Sequence, residues 1–277
     1  MAEDLTINGV SLATYAFMLP DISGVMRAPA RRGENVVVPN RHGRIKTIGK
    51  RFDANEITFS LWVVGADPET GKLPTKQEEL EEFFARRDQL LRLLYSDPMV
   101  LEYTRPDGHK VQARGEVVDV LDFTRRRDEP MAQVSVAIEL TDGFWEDSAT
   151  VAQEITGTSG TTVEMTEFAG ATAPMSDLVI TVFGPCNNPE FSHGEYWVKY
   201  NGVVNAGHQL QIDVGRWIVG PGTGTLWQPT VANIEQGRPG PWFELDPAVD
   251  PFTVTFTHTT GQSATATISG RRKYLSP

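Results

Sequence analysis

Residues 41–63 read "RHGRIKTIGKRFDANEITFSLWV", a dense run of basic residues that passes into a patterned apolar one. In the second half Ile57, Phe59, Leu61 and Val63 alternate with Glu56, Thr58, Ser60 and Trp62. Successive side chains of a strand point to opposite faces, so this period of two specifies a β-strand with one face in a core. The preceding "RIKTIGKRF" supplies a hairpin partner for it across "DAN". The same alternation returns where Val134, Val136, Ile138 and Leu140 interleave with Gln133, Ser135, Ala137 and Glu139, which specifies a third half-buried strand.

Between these strands lies "PTKQEELEEFFARRDQLLRLL", residues 74–94. Leu80, Phe83, Phe84, Leu90, Leu91 and Leu94 fall on one stripe at helical spacing, and Thr75 with Glu78 forms a capping box. Acids crowd the first turns and arginines follow, as the helix dipole favours, so a helix is expected over about 76–95. "RPDG" at 105–108 is expected to turn "MVLEY" into "HKVQARGEVVDV".

Charge density drops near residue 148. Residues 1–148 hold 19 basic and 25 acidic side chains, whereas residues 149–277 hold 6 and 11 and are rich in Gly, Pro, Thr and Trp. With the small polar junction "TVAQEITGTSGTT", this predicts two domains, 1–148 and 149–277, with a seam around 148–160. The second domain shows no long helical stripe. Leu178, Ile180 and Val182 begin a strand, "YWVKYNGVV" contains an Asn-Gly turn, and Leu210, Ile212 and Val214 alternate with polar residues. Phe252, Val254 and Phe256 are expected opposite Ala264, Ala266 and Ile268 across a turn containing Thr260-Gly261. Short strands joined by Gly/Pro turns predict a β-sandwich, so the whole chain is expected to be mainly β with one helix in its N-terminal domain.

Composition narrows the function. At 277 residues and 40% hydrophobic content the chain can bury real cores. No run approaches the length of a membrane span, and "MAEDLTINGV" lacks the features of a signal peptide, so residence in a cytoplasm after synthesis is expected. Cys186 is the single cysteine, which excludes an intrachain disulfide and thiolate clusters and suits a small buried hydrophobe. The net charge of −11 disfavours nucleic-acid binding by the overall field.

Catalytic patterns are absent. There is no G-x-S-x-G elbow, and His42, His109, His193, His208 and His258 show no metal-ligand spacing. "GPGTGT" at 220–225 lacks the Lys-Ser/Thr of a phosphate loop and reads as a turn. No catalytic, cofactor or metal residue is therefore assigned, and the chain is not expected to be an enzyme. Trp197, Trp217, Trp227 and Trp242 lie in the β-rich half, and Trp197 and Trp227 are candidates for a glycan platform.

The basic run needs an explanation of its own. Residues 27–51 carry eight basic side chains against the single acid Glu34. A nucleic-acid site would call for an aromatic platform or recognition helix, and a solvated face would call for local acids. An interface answers both objections by setting Arg41, Arg44, Lys46, Lys50 and Arg51 against the acidic stretch that includes Glu78, Glu79 and Glu82. That pairing is open to a within-chain or a head-to-tail between-chain form.

The order of elements carries a resemblance. "LTINGVSL", "VVVPNRHGRIKTIGKRFDANEITFSLWV", the helix "KQEELEEFFARRDQLLRLL", "MVLEYTRPDG" and "VSVAIELTDGFWED" resemble the N-terminal domain of the distal tail (minor tail) proteins of long, non-contractile-tailed bacteriophages. "DLVITVFGPCNNPEF", "YWVKYNGVVNAGHQLQID", "WFELDPAVDPFTVTF" and "ATATISGRRKYL" resemble that family's C-terminal galectin-like sandwich. The resemblance implies a tail-tube-like, ring-forming first domain and a homohexameric adaptor in the virion tail tip. It would join the tail tube protein to the tail hub protein of the baseplate, with a lumen passing the tape measure protein and then DNA. It implies no cofactor and no membrane insertion, with synthesis in the host cytoplasm. Two departures stand out: no receptor-binding module is inserted in the second domain, and the H-x-N-x-R spacing of sugar-binding galectins is missing. The alternative expectation is a carbohydrate-binding module that contacts host glycans through the C-terminal sandwich.

Overall fold

The computed structural model describes residues 3–31, 52–72, 75–127, 129–222, 229–237 and 242–277. They divide into two compact units, residues 1–146 with 275–277, and residues 147–274. The first contains β1 (Asp4–Ile7), β2 (Val10–Ser11), β3 (Phe17–Met18), β4 (Asn55–Val64), α1 (Lys76–Leu94), β5 (Met99–Thr104), β6 (Lys110–Val117), β7 (Phe123–Thr124), β8 (Met131–Leu140) and the start of β9 (Trp145–Asp147). Its sheet runs β2-β1-β5-β6-β8-β4-β3, with β7 on β8 and β9 on β6.

The two alternating segments of the sequence become the spine of this sheet. β4 and β8 pair antiparallel over ten residues, from Asn55↔Leu140 to Val64↔Met131. Ile57, Leu61 and Val63 on β4 and Val134, Val136 and Ile138 on β8 are buried, while Ser60 and Ser135 hydrogen-bond on the opposite face. "RPDG" closes the β5–β6 hairpin: Gly108 N–H donates to the Arg105 carbonyl, with Gly108 at φ 87°. Among the described residues β4 is flanked by β8 and β3; of residues 44–52, expected as its hairpin partner, 44–51 lie outside them, and Phe52 forms an antiparallel bridge with Arg31.

Helix α1 packs against β4 through Phe83, Leu90 and Leu94, all buried. It begins at the capping box: the Glu78 carboxylate accepts from the Thr75 backbone N–H (2.9 Å) and hydroxyl (2.5 Å). Its second turn is seated on Gly65, where an added Cβ would lie 2.0 Å from the Glu79 carbonyl oxygen. Only a residue without a side chain lets the helix backbone come this close. The helix stops at Leu94, four residues before Pro98, which has no N–H to donate back to the Leu94 carbonyl.

The second unit contains β10 (Val151–Gly157), β11 (Thr161–Glu164), β12 (Val179–Phe183), β13 (Cys186–Asn187), β14 (Glu190–His193), β15 (Tyr196–Tyr200), β16 (Val203–Val204), β17 (Gln209–Asp213), β18 (Ile218–Pro221), β19 (Ile234–Gln236), β20 (Thr253–Thr257), β21 (Ala264–Gly270) and β22 (Lys273–Tyr274). One sheet runs β10-β21-β12-β17-β18 and the other β11-β20-β14-β15-β19. Ile180, Val182, Leu210, Ile212 and Ile268 from the first sheet share one buried cluster with Phe191, Val198, Val254 and Phe256 from the second, as the inner faces of a sandwich do.

One turn behaves differently from expectation. β20 and β21 do not pair: the Thr260-Gly261 turn carries the chain from one sheet to the other. Val254 and Phe256 consequently meet Ala266 and Ile268 through the core and not along a hairpin. Asn201-Gly202 joins β15 to β16, which pairs with β13. Asn188 fixes this corner, its side-chain oxygen accepting from Gly202 N–H and its own N–H donating to the Gly202 carbonyl. The ends of the unit are clasped at Asp147, whose buried carboxylate accepts from Arg272 Nε at 2.5 Å and the Tyr274 hydroxyl at 3.0 Å.

Candidate assembly surface

Helix α1 and the turn after β7 bring together the charged groups of the first unit. On the helix, Glu78, Glu79 and Glu82 occupy the first half as expected from the sequence, but they do different things. Glu78 is engaged by Thr75, whose side chain and then backbone hold its carboxyl below the usual range. Glu82 pairs with Arg86 one turn on. Glu79 and the exposed Glu69 and Glu81 make no ion pair among the described residues. Asp67 beside them is also held low, first by the Thr70 hydroxyl and then by the Thr70 backbone. This end of the first unit therefore stays anionic into mildly acidic solution.

The following turns of α1 are cationic and carry an exposed aromatic ring. Phe84 is 40% exposed, and the guanidinium carbons of both Arg87 and Arg125 lie near its ring, at 5.0 and 5.2 Å from the centroid. Arg125 also lies 5.0 Å from the Phe83 ring, and its Nε donates to the Glu129 carbonyl. Guanidinium over an aromatic face is attractive, which lets two like charges share this spot. Arg126 and Arg127 extend the patch into solvent; among the described residues Arg126 pairs with Glu129 at 3.8 Å. The sequence analysis missed this surface. Its signal was the triple arginine in "TRRRDEP", residues 124–130, overshadowed by the longer basic run upstream.

That upstream run, with Arg41, Arg44, Lys46, Lys50 and Arg51, lies outside the described residues, as does Trp227. Trp197 is half-buried on β15 beside Gly237. A Cβ on Gly237 would fall 1.9 Å from the indole Nε1, so the ring lies across the glycine backbone. A tryptophan not singled out by spacing, Trp217, is 53% exposed at φ 59° and leans on the buried Trp242, with ring centroids 6.0 Å apart.

Little reactive chemistry converges anywhere among the described residues. Among the described residues no group of three or more His, Cys, Asp or Glu could hold a metal ion, and no helix is long and apolar enough to cross a membrane. The Cys186 thiol is buried and pushed up to about 11 by desolvation, so it is an inert core group. An open hollow of about 640 Å³ is lined mostly by Tyr15, Met18, Leu19, Pro20 and Pro68, with Glu69 as its one ionisable carboxylate.

No family model matches the chain, and no curated protein matches it in sequence. Comparison with solved structures does find likeness. The crystal structure of the SPP1 Dit protein, described as a paradigm of the hub adsorption apparatus in phages infecting Gram-positive bacteria, superposes with a TM-score of 0.62. The match covers 98% of this chain and 99% of that one at 14% identity. The fold is that of SPP1 Dit. Two structures of the phage P2 baseplate in its activated conformation, with calcium and with strontium, also match over 97% and 98% of the chain at 9% identity. Their TM-scores of 0.38 and 0.39 are too low to carry an argument. At the identity shared with Dit, buried apolar positions can be kept while surface residues are replaced, so the charged surface on α1 is read from this chain alone.

Proposed function

We propose that the chain is a structural subunit of a bacteriophage tail tip. In this reading it is a distal tail adaptor, assembled as a homohexamer, that joins the last ring of the tail tube to the tail-tip hub. Its lumen passes the tape measure protein and later DNA. The observation that carries this is the whole-chain likeness to SPP1 Dit, which runs through both units. The distribution of chemistry supports it. A ring adaptor needs broad charged and apolar contact surfaces, and the described residues offer those in place of a convergent acid, base and nucleophile. The resemblance read from the order of sequence elements leads to the same family independently of the superposition.

Gold-labelled antibodies raised against the purified chain test the reading on intact virions. Label confined to the distal end of the tail, between tube and hub, is the expected result. Label on capsids or along the tail shaft, or no labelling of virions, would overturn it.

A further inference from the structure

The surface around Phe84 has the composition of a protein contact. It combines an exposed aromatic ring, two guanidiniums packed on that ring and two further arginines in solvent, and aromatic residues and arginine are enriched at interfaces. Arg125 offers its remaining N–H groups and Arg127 its whole head, with no carboxylate partner for either among the described residues. Arg87 is already bound by the neighbouring Asp88 at 2.7 Å and Arg126 faces Glu129 at 3.8 Å, so the cations of this surface with no carboxylate among the described residues are Arg125 and Arg127. The complementary group is on the same molecule, since Glu79 and Glu81 in the first turns of α1 make no ion pair among the described residues, and Glu69 lies in the connection that precedes the helix. The acidic half of α1 precedes the basic half. Staggered copies can therefore set unlike charges against each other, and each copy keeps one donor face and one acceptor face, as a head-to-tail contact requires.

We propose that the arginine surface formed by Phe84, Arg87 and Arg125–Arg127 docks the acidic first half of α1 of a neighbouring copy of this chain. The proposal rests on the reading of the chain as a self-assembling tail-tip subunit and names the contact that the assembly uses. A phosphate backbone is the less suitable occupant. The overall field repels nucleic acid, and an exposed phenyl ring between the arginines gains more from a protein surface than from phosphate.

The test uses the full chain and three variants, with particle mass measured by light scattering at low salt. R126E/R127E reverses the solvent-facing arginines and spares the Arg125 packing on Phe83 and Phe84. E79K/E81K reverses the acidic side of α1, and the fourfold variant exchanges both. Circular dichroism checks that each is folded. The expected result is that either double reversal weakens self-association by about tenfold or more, since like charges are then juxtaposed, and that the fourfold exchange restores it. Unchanged assembly of both double variants would overturn the proposed contact and leave the ring reading standing. A wild-type chain that never self-associates, even when tail-tube subunits of the same phage are added, would overturn both. Duplex DNA retarded by the wild type and released by R126E/R127E would reassign the surface to nucleic acid and overturn the proposal.

Discussion

Thr75 shows how one side chain both starts a helix and sets a charge. Its hydroxyl and backbone N–H both donate to Glu78, and the carboxyl is held low as a result. A carboxylate whose pKa is lower in the folded chain stabilises the fold above its unfolded value, near 4.3, and that contribution fades as pH falls through the lowered folded value. The acidic end of α1 is therefore expected to keep its charge and its cap until the solution is more acidic than the ordinary carboxylate range. Thr75→Val removes the larger of the two hydrogen bonds. The Glu78 titration, followed by NMR on its side-chain carboxyl carbon, should then move up toward the usual range. An unmoved midpoint would mean that the hydroxyl does not set it.

At the scale of elements, the junction of β4 and α1 decides whether the first unit holds together. Gly65 lies immediately after β4, and the Glu79 carbonyl occupies the space where a side chain would be. A backbone oxygen cannot swing aside, so Gly65→Ala must displace the first turns of α1, at a cost of about 2 kcal/mol or more. A thermal melt of the variant against wild type checks this, and an unchanged Tm would show the helix to be loosely seated. These same elements were the legible ones. β4 and β8 announced themselves by strict alternation, and α1 by its apolar stripe and capping box, because half-buried regular elements must repeat with their own period. The connections were less legible. Val254 and Phe256 face Ala266 and Ile268 whether the two strands pair or stand in opposite sheets, because both arrangements bury the same alternate residues. Gly65 gave no signal in sequence, since its role depends on a helix fourteen residues further along. The arginine surface on Phe84 was equally hidden: Arg87 and Arg125 are 38 positions apart and meet only when the chain folds.

On the scale of the whole molecule, the chain has two β units, each with its own core, and the fold of SPP1 Dit from end to end. Cores of this kind account for two stable bodies, but they do not by themselves account for a surface that separates charge along one helix. The proposed assembly would, because a head-to-tail ring sets each acidic face against a basic one. Such contacts are screened by salt, with a Debye length of about 10 Å at 0.1 M, so the assembly is expected to loosen as ionic strength rises. The most direct measurement is the solution mass of the purified chain by light scattering at low and high salt. The account predicts a particle six times the 30.6 kDa chain that dissociates as salt is raised. A monomer at every salt concentration, persisting when tail-tube subunits of the same phage are added, would contradict it.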